Sequence, residues 1–428
     1  MVFLLLFSTF CGLMALSFPI GISMGLASAG AILYKGGMPL TILAQKMFTG
    51  LDSFPLLAVP FFVLAGLFME TGGISARLVR FASVLVGHIR GGLAHVVIVA
   101  TIFFSGVSGS SAADTAAIGS IMIPSMVRRG YPRPLATAIV AAAGGMGVNI
   151  PPCIIMVLYG IAANTSIGYL FAAGFLPGFL SAVALMTMVY FVAKREQLPR
   201  EVKPAFREVV KAGVSAIPPL LMPIIILGGI LSGIFTATES AVVAVVYGVF
   251  LSMGVYRELH LRDVPGLLVN AARLTGMIML VVGMSTTFAW IVTVERVPQM
   301  ITEFVLSLSP GPWAFLLFTN VLMLIVGMFI DATPAMITFT PILYPIALKL
   351  GIDPVHFGIV MVTNLGVGFV TPPVGMTLYV ATAIAGIRID QVVKPLLPFV
   401  AVMVAALLAI TYWPDMILLI PRLLGYKG

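Results

Sequence analysis

Apolar runs of about 20 residues recur along the whole chain, and they constrain its fold more than any other feature. A helix needs about 20 such residues to cross roughly 30 Å of hydrocarbon. Of the 428 residues, 60% are hydrophobic and only 9% are charged, and the mean hydropathy is +1.15. The sequence therefore predicts an all-α, multi-pass membrane protein, and we expect no appended catalytic domain.

Glycine and proline residues between the apolar runs divide the chain into predicted helices. Two amphipathic connectors, 73–92 and 295–311, are expected to lie in the plane of the membrane interface. The ten predicted spanning helices cover residues 2–17, 20–35, 54–70, 134–163, 168–193, 213–232, 236–255, 265–294, 355–386 and 396–420.

The net charge of +8 is distributed over short loops rather than concentrated in one block. This distribution indicates membrane orientation and argues against nucleic acid as a partner. Loop 194–211 carries six Lys and Arg residues against three Glu residues, which places it in the cytoplasm. Counting back through the helices places both ends of segment 91–127 on the cytoplasmic side as well.

Two segments are too short to cross a membrane twice, although each has a polar centre. Segment 91–127 has the centre "SGVSGSSAADTAA", and segment 312–349 has the centre "FIDATPA". Irregular backbone at membrane depth is tolerated where protein or a watery cavity surrounds it. Both segments are therefore predicted to be re-entrant helical hairpins.

A long helix interrupted by Gly and Pro-Pro follows each hairpin. The stretch "GMGVNIPP" at 145–152 matches "GVGFVTPP" at 366–373, and Pro-Pro is expected to break both helices. Unwound carbonyls can then coordinate a cation, while the start of the second half-helix can meet an anion. The alternative is a simple proline kink.

These paired features predict an inverted-topology repeat with domains 1–210 and 211–428. The two breaks lie 221 residues apart, whereas the pairs Asp114 with Pro124 and Asp331 with Pro341 lie 217 residues apart. An insertion within 342–350 would account for the difference.

Acidic and hydroxyl side chains in the hairpins are candidate functional groups, because an ionisable residue at membrane depth is costly. Asp114 either caps the second arm of its hairpin or binds an ion, and Asp331 with Thr333 is expected to contribute to a cation site. Glu239 in "FTATES" is expected to be a helix cap, with a role in coupling as the alternative. The hydroxyls of Ser108, Ser110, Ser111 and Thr115 can bind a carboxylate or their own turn.

Two other classes of function remain as alternatives, a channel and an intramembrane serine protease. "GVSG" at 106–109 has the form of a nucleophile motif, but His95 lies 13 residues from Ser108, roughly 20 Å along a helix. Two opposed hairpins and two broken helices favour alternating access over an open pore. The sequence has no phosphate-binding loop, so we expect no direct use of ATP.

Several motifs resemble the large membrane subunit of TRAP transporters, the tripartite ATP-independent periplasmic family, DctM-like. These are "SGSSAADTAAIGSIMIPSM", "GVNIPP", "GIFTATES", "VGMFIDATPAMITFTPIL" and "GIDPVHFGIVMVTNLGVGFVTPPVG". The resemblance implies a secondary transporter of the bacterial inner membrane, not an enzyme. It implies sodium-driven import of an organic acid by an elevator movement, with a small four-helix membrane subunit and a periplasmic substrate-binding protein as partners.

The same resemblance implies the sodium ligands, and it implies no cofactor besides the coupling sodium ions. Which organic acid is carried, whether sodium or protons drive the import, and the oligomeric state remain open. The implied sodium ligands are Ser108, Gly109, Gly145, Gly147, Asn149, Asp331, Thr333, Gly366, Gly368 and Thr371. The substrate carboxylate is expected between the two tips, where hydroxyls and helix starts are the candidate ligands: Ser108, Ser110, Ser111, Thr115, Asn149, Pro151, Thr371 and Pro372.

Overall fold

A computed structural model describes residues 2–16, 18–297, 299–300, 303 and 311–428. Within these ranges the chain forms helices and no strand, which confirms the predicted all-α class. The helices of the first half are α1 (Val2–Ala15), α2 (Ile20–Lys35), α3 (Thr41–Leu51), α4 (Ala58–Thr71), α5 (Ile74–Val86), α6 (Gly92–Ser108), α7 (Ser111–Arg128), α8 (Arg133–Gly147), α9 (Ile154–Ala162) and α10 (Ile167–Arg195). Those of the second half are α11 (Phe206–Leu231), α12 (Ala237–Val249), α13 (Val264–Val294), α14 (Pro312–Phe329), α15 (Ala332–Lys349), α16 (Pro354–Gly368), α17 (Met376–Ala385), α18 (Ile389–Tyr412) and α19 (Pro414–Leu423).

Seven helical segments in the described ranges are long and apolar enough to cross a membrane, which confirms a multi-pass protein. Six coincide with predicted spans, and the seventh, α14, is the first arm of the second hairpin. The remaining four predicted spans are the short helices α1 and α2 and the two broken helices. The seven segments are Phe54–Thr71, Ile167–Arg195, Phe206–Leu231, Ala237–Val255, Leu261–Val294, Pro312–Phe329 and Ile389–Tyr412.

The structure departs from the predicted helices at three places. Helix α3 was not predicted, and the predicted helix 396–420 is divided at Trp413, whose ψ of 70° is not helical and which precedes a proline. The connector 73–92 contains the helix α5, which ends before Gly87. Most of the connector 295–311 lies outside the described residues.

Both predicted hairpins are present. In the first, α6 packs against α7 after a turn at Gly109 and Ser110, and in the second, α14 packs against α15 after the extended residues Ile330 and Asp331. Gly109 has φ +65°, a left-handed conformation that glycine adopts without steric cost. The polar centres of the two segments therefore form hairpin tips.

Both predicted helix breaks are present as well. The first separates α8 from α9 at residues 148–153, and the second separates α16 from α17 at residues 369–375. Each contains a cis Pro-Pro bond, Pro151-Pro152 and Pro372-Pro373.

The helix bounds reveal a single register between the two halves. Helices α7 and α15 each have 18 residues, α8 and α16 each have 15, and their starts and ends are 221 residues apart in both pairs. The 217-residue match of Asp114 with Asp331, and the insertion inferred from it, were therefore wrong. Asp331 corresponds to Ser110, and Asp114 corresponds to Ala335.

Packing between the halves is reciprocal. Helix α7 packs on α17 and α15 packs on α9, while α8 packs on α18 and α16 packs on α10. The outer helices follow the same rule, because α4 packs on α12 and α2 packs on α13. Such exchanged contacts are those of two halves related by a two-fold axis. The domain limits at 210 and 211 stay a prediction, although both residues fall within α11.

Candidate functional site

The tip of the first hairpin is hydrogen-bonded directly to the first helix break. The Ile154 N–H, at the start of α9, donates to the Gly109 carbonyl at 3.3 Å. A Cβ at Gly109 would lie 3.1 Å from the Pro152 carbonyl oxygen. Glycine at the tip therefore permits a close approach of two irregular backbone segments, which are joined by a backbone hydrogen bond.

Asp114 is fully buried one turn inside α7. Its carboxylate accepts hydrogen bonds from the hydroxyls of Ser105 and Ser108 on the opposite arm. No side chain caps the start of α7, so the structure contradicts the interpretation of Asp114 as a cap of its own arm. A Cβ at Gly147 would lie 2.8 Å from an Asp114 carboxylate oxygen. The carboxylate thus connects both arms and faces the first break.

No Lys, Arg or His nitrogen of the described chain lies within 4 Å of the Asp114 carboxylate. Among the described residues, the hydroxyls of Ser105 and Ser108 are the hydrogen-bond donors to this carboxyl group. Hydrogen bonds to a charged group contribute about 1.5–3 kcal/mol each. Sequence reasoning missed Ser105, although it lies three residues before Ser108 and so shares its helix face.

The other hydroxyls of the first tip have different environments. Ser108 Oγ also accepts from the Ser110 N–H at 3.2 Å, which stabilises the turn. Thr115 Oγ1 donates to the Ser111 carbonyl at 2.7 Å within its own helix. Ser111 Oγ is buried and has no hydrogen-bond partner among the described residues.

Three predicted site residues, Gly145, Asn149 and Gly366, lie where the two halves cross. A Cβ added to Gly145 would lie 2.5 Å from the Gly366 carbonyl oxygen, and the reverse distance is also 2.5 Å. These two glycines correspond in the 221-residue register, so the broken helices cross at them. Asn149 Oδ1 accepts from Thr363 Oγ1 at 2.8 Å across the same crossing, a partner that the sequence motifs did not indicate.

The second hairpin also makes a backbone contact with its helix break, from the last turn of α14. The Gly375 N–H, just before α17, donates to the Met328 carbonyl at 3.1 Å. A Cβ at Gly368 would lie 2.7 Å from the Gly327 Cα, so only glycine fits between this arm and the break. Thr371 Oγ1 donates to the Val367 carbonyl at 2.7 Å and is half-buried, as is Pro372. The first break, with Pro151, is buried throughout.

Asp331 is placed differently from Asp114. It is exposed immediately before α15 and, with Thr333, lines a cavity of about 270 Å³. The opposite wall of this cavity is formed by residues 19–22 at the start of α2 and by residues of α13. No Lys, Arg or His nitrogen of the described chain lies within 4 Å of the carboxylate. Its side chain is available to a ligand that enters the cavity.

Hydrogen bonds to Thr236 decide the role of Glu239. The Glu239 carboxylate accepts from the Thr236 N–H at 2.8 Å, and the Glu239 N–H donates to Thr236 Oγ1 at 3.2 Å, which forms a capping box. Its expected role as a cap is confirmed.

The ring nitrogens of His95 have no hydrogen-bond partner in the described chain, and Ser108 donates to Asp114. A serine activated by histidine is therefore absent there.

The chain matches the family described as "Tripartite ATP-independent periplasmic transporter, DctM component" over residues 7–416. It is 43% identical over 403 residues to the C4-dicarboxylate TRAP transporter large permease protein DctM of Pseudomonas aeruginosa, covering 94% of each chain. It is 45% identical over 410 residues to the isethionate TRAP transporter permease protein DctMQ of Oleidesulfovibrio alaskensis, covering 96% of this chain and 65% of that protein.

A solved structure has the same fold. The crystal structure of the Alcanivorax borkumensis YdaH transporter aligns with a TM-score of 0.64 at 13% sequence identity and covers 87% of each chain. The curated relatives are named as transporter permeases, which are not enzymes. Family match, sequence identity and paired hairpins agree that this chain belongs to the DctM family, the large membrane component of TRAP transporters.

Proposed function

We propose that this protein imports a small organic acid across the bacterial inner membrane and that a sodium gradient drives the import. The observation that carries the proposal is the pair of hairpin tips, each hydrogen-bonded to the break of a helix in its own half. This arrangement concentrates backbone carbonyls and hydroxyls at the centre of the membrane, where secondary transporters bind their substrates and coupling ions.

The first sodium site is proposed at the first tip and break. Its oxygen ligands come from Ser108, Gly109, Gly145, Gly147 and Asn149, and the buried Asp114 carboxylate supplies negative charge beside them. Groups of three or more His, Cys, Asp or Glu side chains do not occur in the described ranges. Carbonyl and hydroxyl oxygens are suitable ligands for a hard monovalent cation.

The second sodium site is proposed at the second tip and break. Its ligands come from Asp331, Thr333, Gly366, Gly368 and Thr371. Support comes from the exposed Asp331 carboxylate, which faces the cavity without a basic partner in the described chain.

The substrate anion is proposed to bind between the two tips. The relatives above are named for a C4-dicarboxylate and for isethionate, which are small organic anions. The starts of the second half-helices and the hydroxyls of the first tip are the available donors, since the buried Ser111 hydroxyl is still unpartnered in the described chain. The proposed ligands are Ser108, Ser110, Ser111, Thr115, Asn149, Pro151, Thr371 and Pro372.

An elevator movement is proposed for alternating access. A second cavity, of about 240 Å³, is lined by Gly50 and Val282 on the outer helices and by Leu158 and Ile337 on the hairpin-bearing side. Its lining is mainly apolar, as is that of the cavity at Asp331. Few polar contacts would therefore oppose a sliding movement at these places.

Two partners are proposed, a small four-helix membrane subunit and a periplasmic substrate-binding protein. The family description names a tripartite system, and this chain covers 65% of the DctMQ relative. The part of that relative that this chain does not cover is long enough for a further component.

Uptake in proteoliposomes tests the proposal. The vesicles contain this chain, the small subunit and the binding protein, with sodium and pH gradients imposed separately. We expect uptake of an organic acid only with an inward sodium gradient. Uptake driven by a pH gradient in the absence of sodium would overturn the coupling, and a steady single-channel current would favour a channel instead.

A further inference from the structure

A cavity of about 310 Å³ opens at the end of α10, where α10 meets the start of α8 and the first turns of α18. None of the candidate ion or substrate ligands lines it. Its lining combines an apolar surface with three charged side chains, Arg195, Glu196 and Lys394. The apolar lining residues are Pro132, Pro134, Leu135, Val192, Pro395 and Pro398.

The two cations of this cavity lack strong acidic partners. Lys394 is exposed and has no carboxylate oxygen within 4 Å in the described chain. Arg195 Nε lies 3.9 Å from the Glu196 carboxylate, and the Arg195 side chain is 87% exposed. An ion pair at this distance and with this exposure contributes little to stability. The cavity therefore presents a net positive charge to its surroundings.

The position of the cavity along the helices places it at the cytoplasmic membrane interface. Arg195 ends the 29-residue apolar helix α10 and begins the basic loop, which the positive-inside rule assigns to the cytoplasm. Lys394 and Tyr412 on α18 are separated by roughly 27 Å, close to the thickness of the hydrocarbon core. The ring of Tyr412 packs on Trp313 at 5.3 Å, an aromatic pair suited to the opposite interface.

An exposed apolar stripe leads from the cavity along α18 towards the middle of the membrane. Leu397, Ala401, Ala405 and Leu408 follow Lys394 at helical spacings of three and four residues. They therefore share one face of the helix, and all four are exposed.

We propose that the cavity binds one anionic phospholipid from the cytoplasmic leaflet. The phosphate lies between Arg195 and Lys394, the glycerol backbone contacts the proline-rich lining, and one acyl chain follows the stripe on α18. Basic pockets between spanning helices on the cytoplasmic side suit anionic headgroups. The lipid would join α8 and α10 of the first half to α18 of the second.

Native mass spectrometry of the delipidated full chain tests the lipid site, with phosphatidylglycerol and phosphatidylcholine as probes. We expect one tightly retained phosphatidylglycerol and weak binding of phosphatidylcholine. The R195Q/K394Q variant should bind phosphatidylglycerol about thirtyfold more weakly. The control K203Q/R207Q removes two exposed cations of the neighbouring loop and should stay within about twofold of wild type. Equal loss in both variants, or equal binding of both lipids, would overturn the proposal.

A second arm separates a lipid from a free anion. The substitution Pro398→Phe narrows the cavity and keeps both cations, so we expect it to weaken phosphatidylglycerol binding about tenfold. Inorganic phosphate at millimolar concentration should leave the lipid bound to wild type. Displacement by phosphate, together with normal binding to Pro398→Phe, would show an anion site in place of a lipid site.

Discussion

The two hairpin tips have the same backbone contacts but different side-chain chemistry. In both hairpins a backbone N–H at the end of the helix break acts as the donor: it donates to the Gly109 carbonyl at the first tip and to the Met328 carbonyl in the last turn of α14. The first tip encloses Asp114 with two serine hydroxyls, whereas the second exposes Asp331 to a cavity. The two halves therefore share the contact between hairpin and helix break, while their carboxylates occupy different positions and have different partners.

The crossing of the broken helices is common to both tips, and its disruption should have the largest effect. Gly366→Ala places a Cβ 2.5 Å from the Gly145 carbonyl, where backbone of both halves would have to move. We expect a loss of about 3 kcal/mol in stability, measured by thermal unfolding and gel filtration. Gly276→Ala is the control, because no atom lies within 4 Å of its added Cβ. Equal behaviour of the two variants would contradict the crossing.

Alanine substitution of the two carboxylates should separate their roles. Asp114→Ala leaves two buried serine hydroxyls without their acceptor, so we expect a loss of about 2 kcal/mol in stability together with loss of transport. Asp331→Ala should abolish sodium-dependent uptake and cost at most about 1 kcal/mol in stability, because Asp331 is only the N-cap residue of α15. Thermal unfolding and proteoliposome uptake are measured on both variants. Unimpaired uptake by Asp331→Ala would exclude it from the ion site.

The hydroxyls around Asp114 should contribute less individually. Ser105→Ala removes one hydrogen bond to the carboxylate and should cost about 1.5 kcal/mol in the free energy of unfolding. Ser120→Ala on the same hairpin is the matched control, since Ser120 is exposed and bonds only to its own helix. We expect the control to change stability by at most about 0.5 kcal/mol. A similar change in both would show that the carboxylate does not depend on Ser105.

The hydrogen bond between the halves should give the smallest effect. Thr363→Val leaves the buried Asn149 oxygen without its donor and should cost about 1 kcal/mol. Thr371→Val removes only a bond to its own helix at a half-buried position, and we expect a smaller loss. Thermal unfolding of both variants measures the difference. A larger loss for Thr371→Val would contradict the assignment of Asn149 to the crossing.

Length and charge were sufficient to predict the hairpins. Segment 91–127 has too few residues for two crossings, and the basic loops place both of its ends on one side. Pro-Pro predicted both breaks because proline removes the donors that a helix needs. These features depend on segment length, loop charge and proline, all of which are visible in the local sequence.

The register of the repeat and the exposure of Asp331 could not be predicted from the sequence in this way. The equal spacing of Asp114 to Pro124 and of Asp331 to Pro341 suggested equivalent acids, but helix lengths set the register at 221. The exposure of Asp331 depends on residues 19–22 and on α13, which are distant in sequence. The contact of Asn149 with Thr363 also crosses between halves and has no local signal.

Thiol accessibility tests most directly the central claim that the second break is exposed beside its proposed sodium site while the first break is buried. Cys153 and Val374 correspond in the 221-residue register, yet their exposed fractions are 2% and 45%. In a C11S background, a charged thiol reagent should leave Cys153 unmodified. In C11S/C153S/V374C it should modify the new thiol, and sodium should slow that reaction. Comparable labelling of both positions, or a rate independent of sodium, would contradict the account.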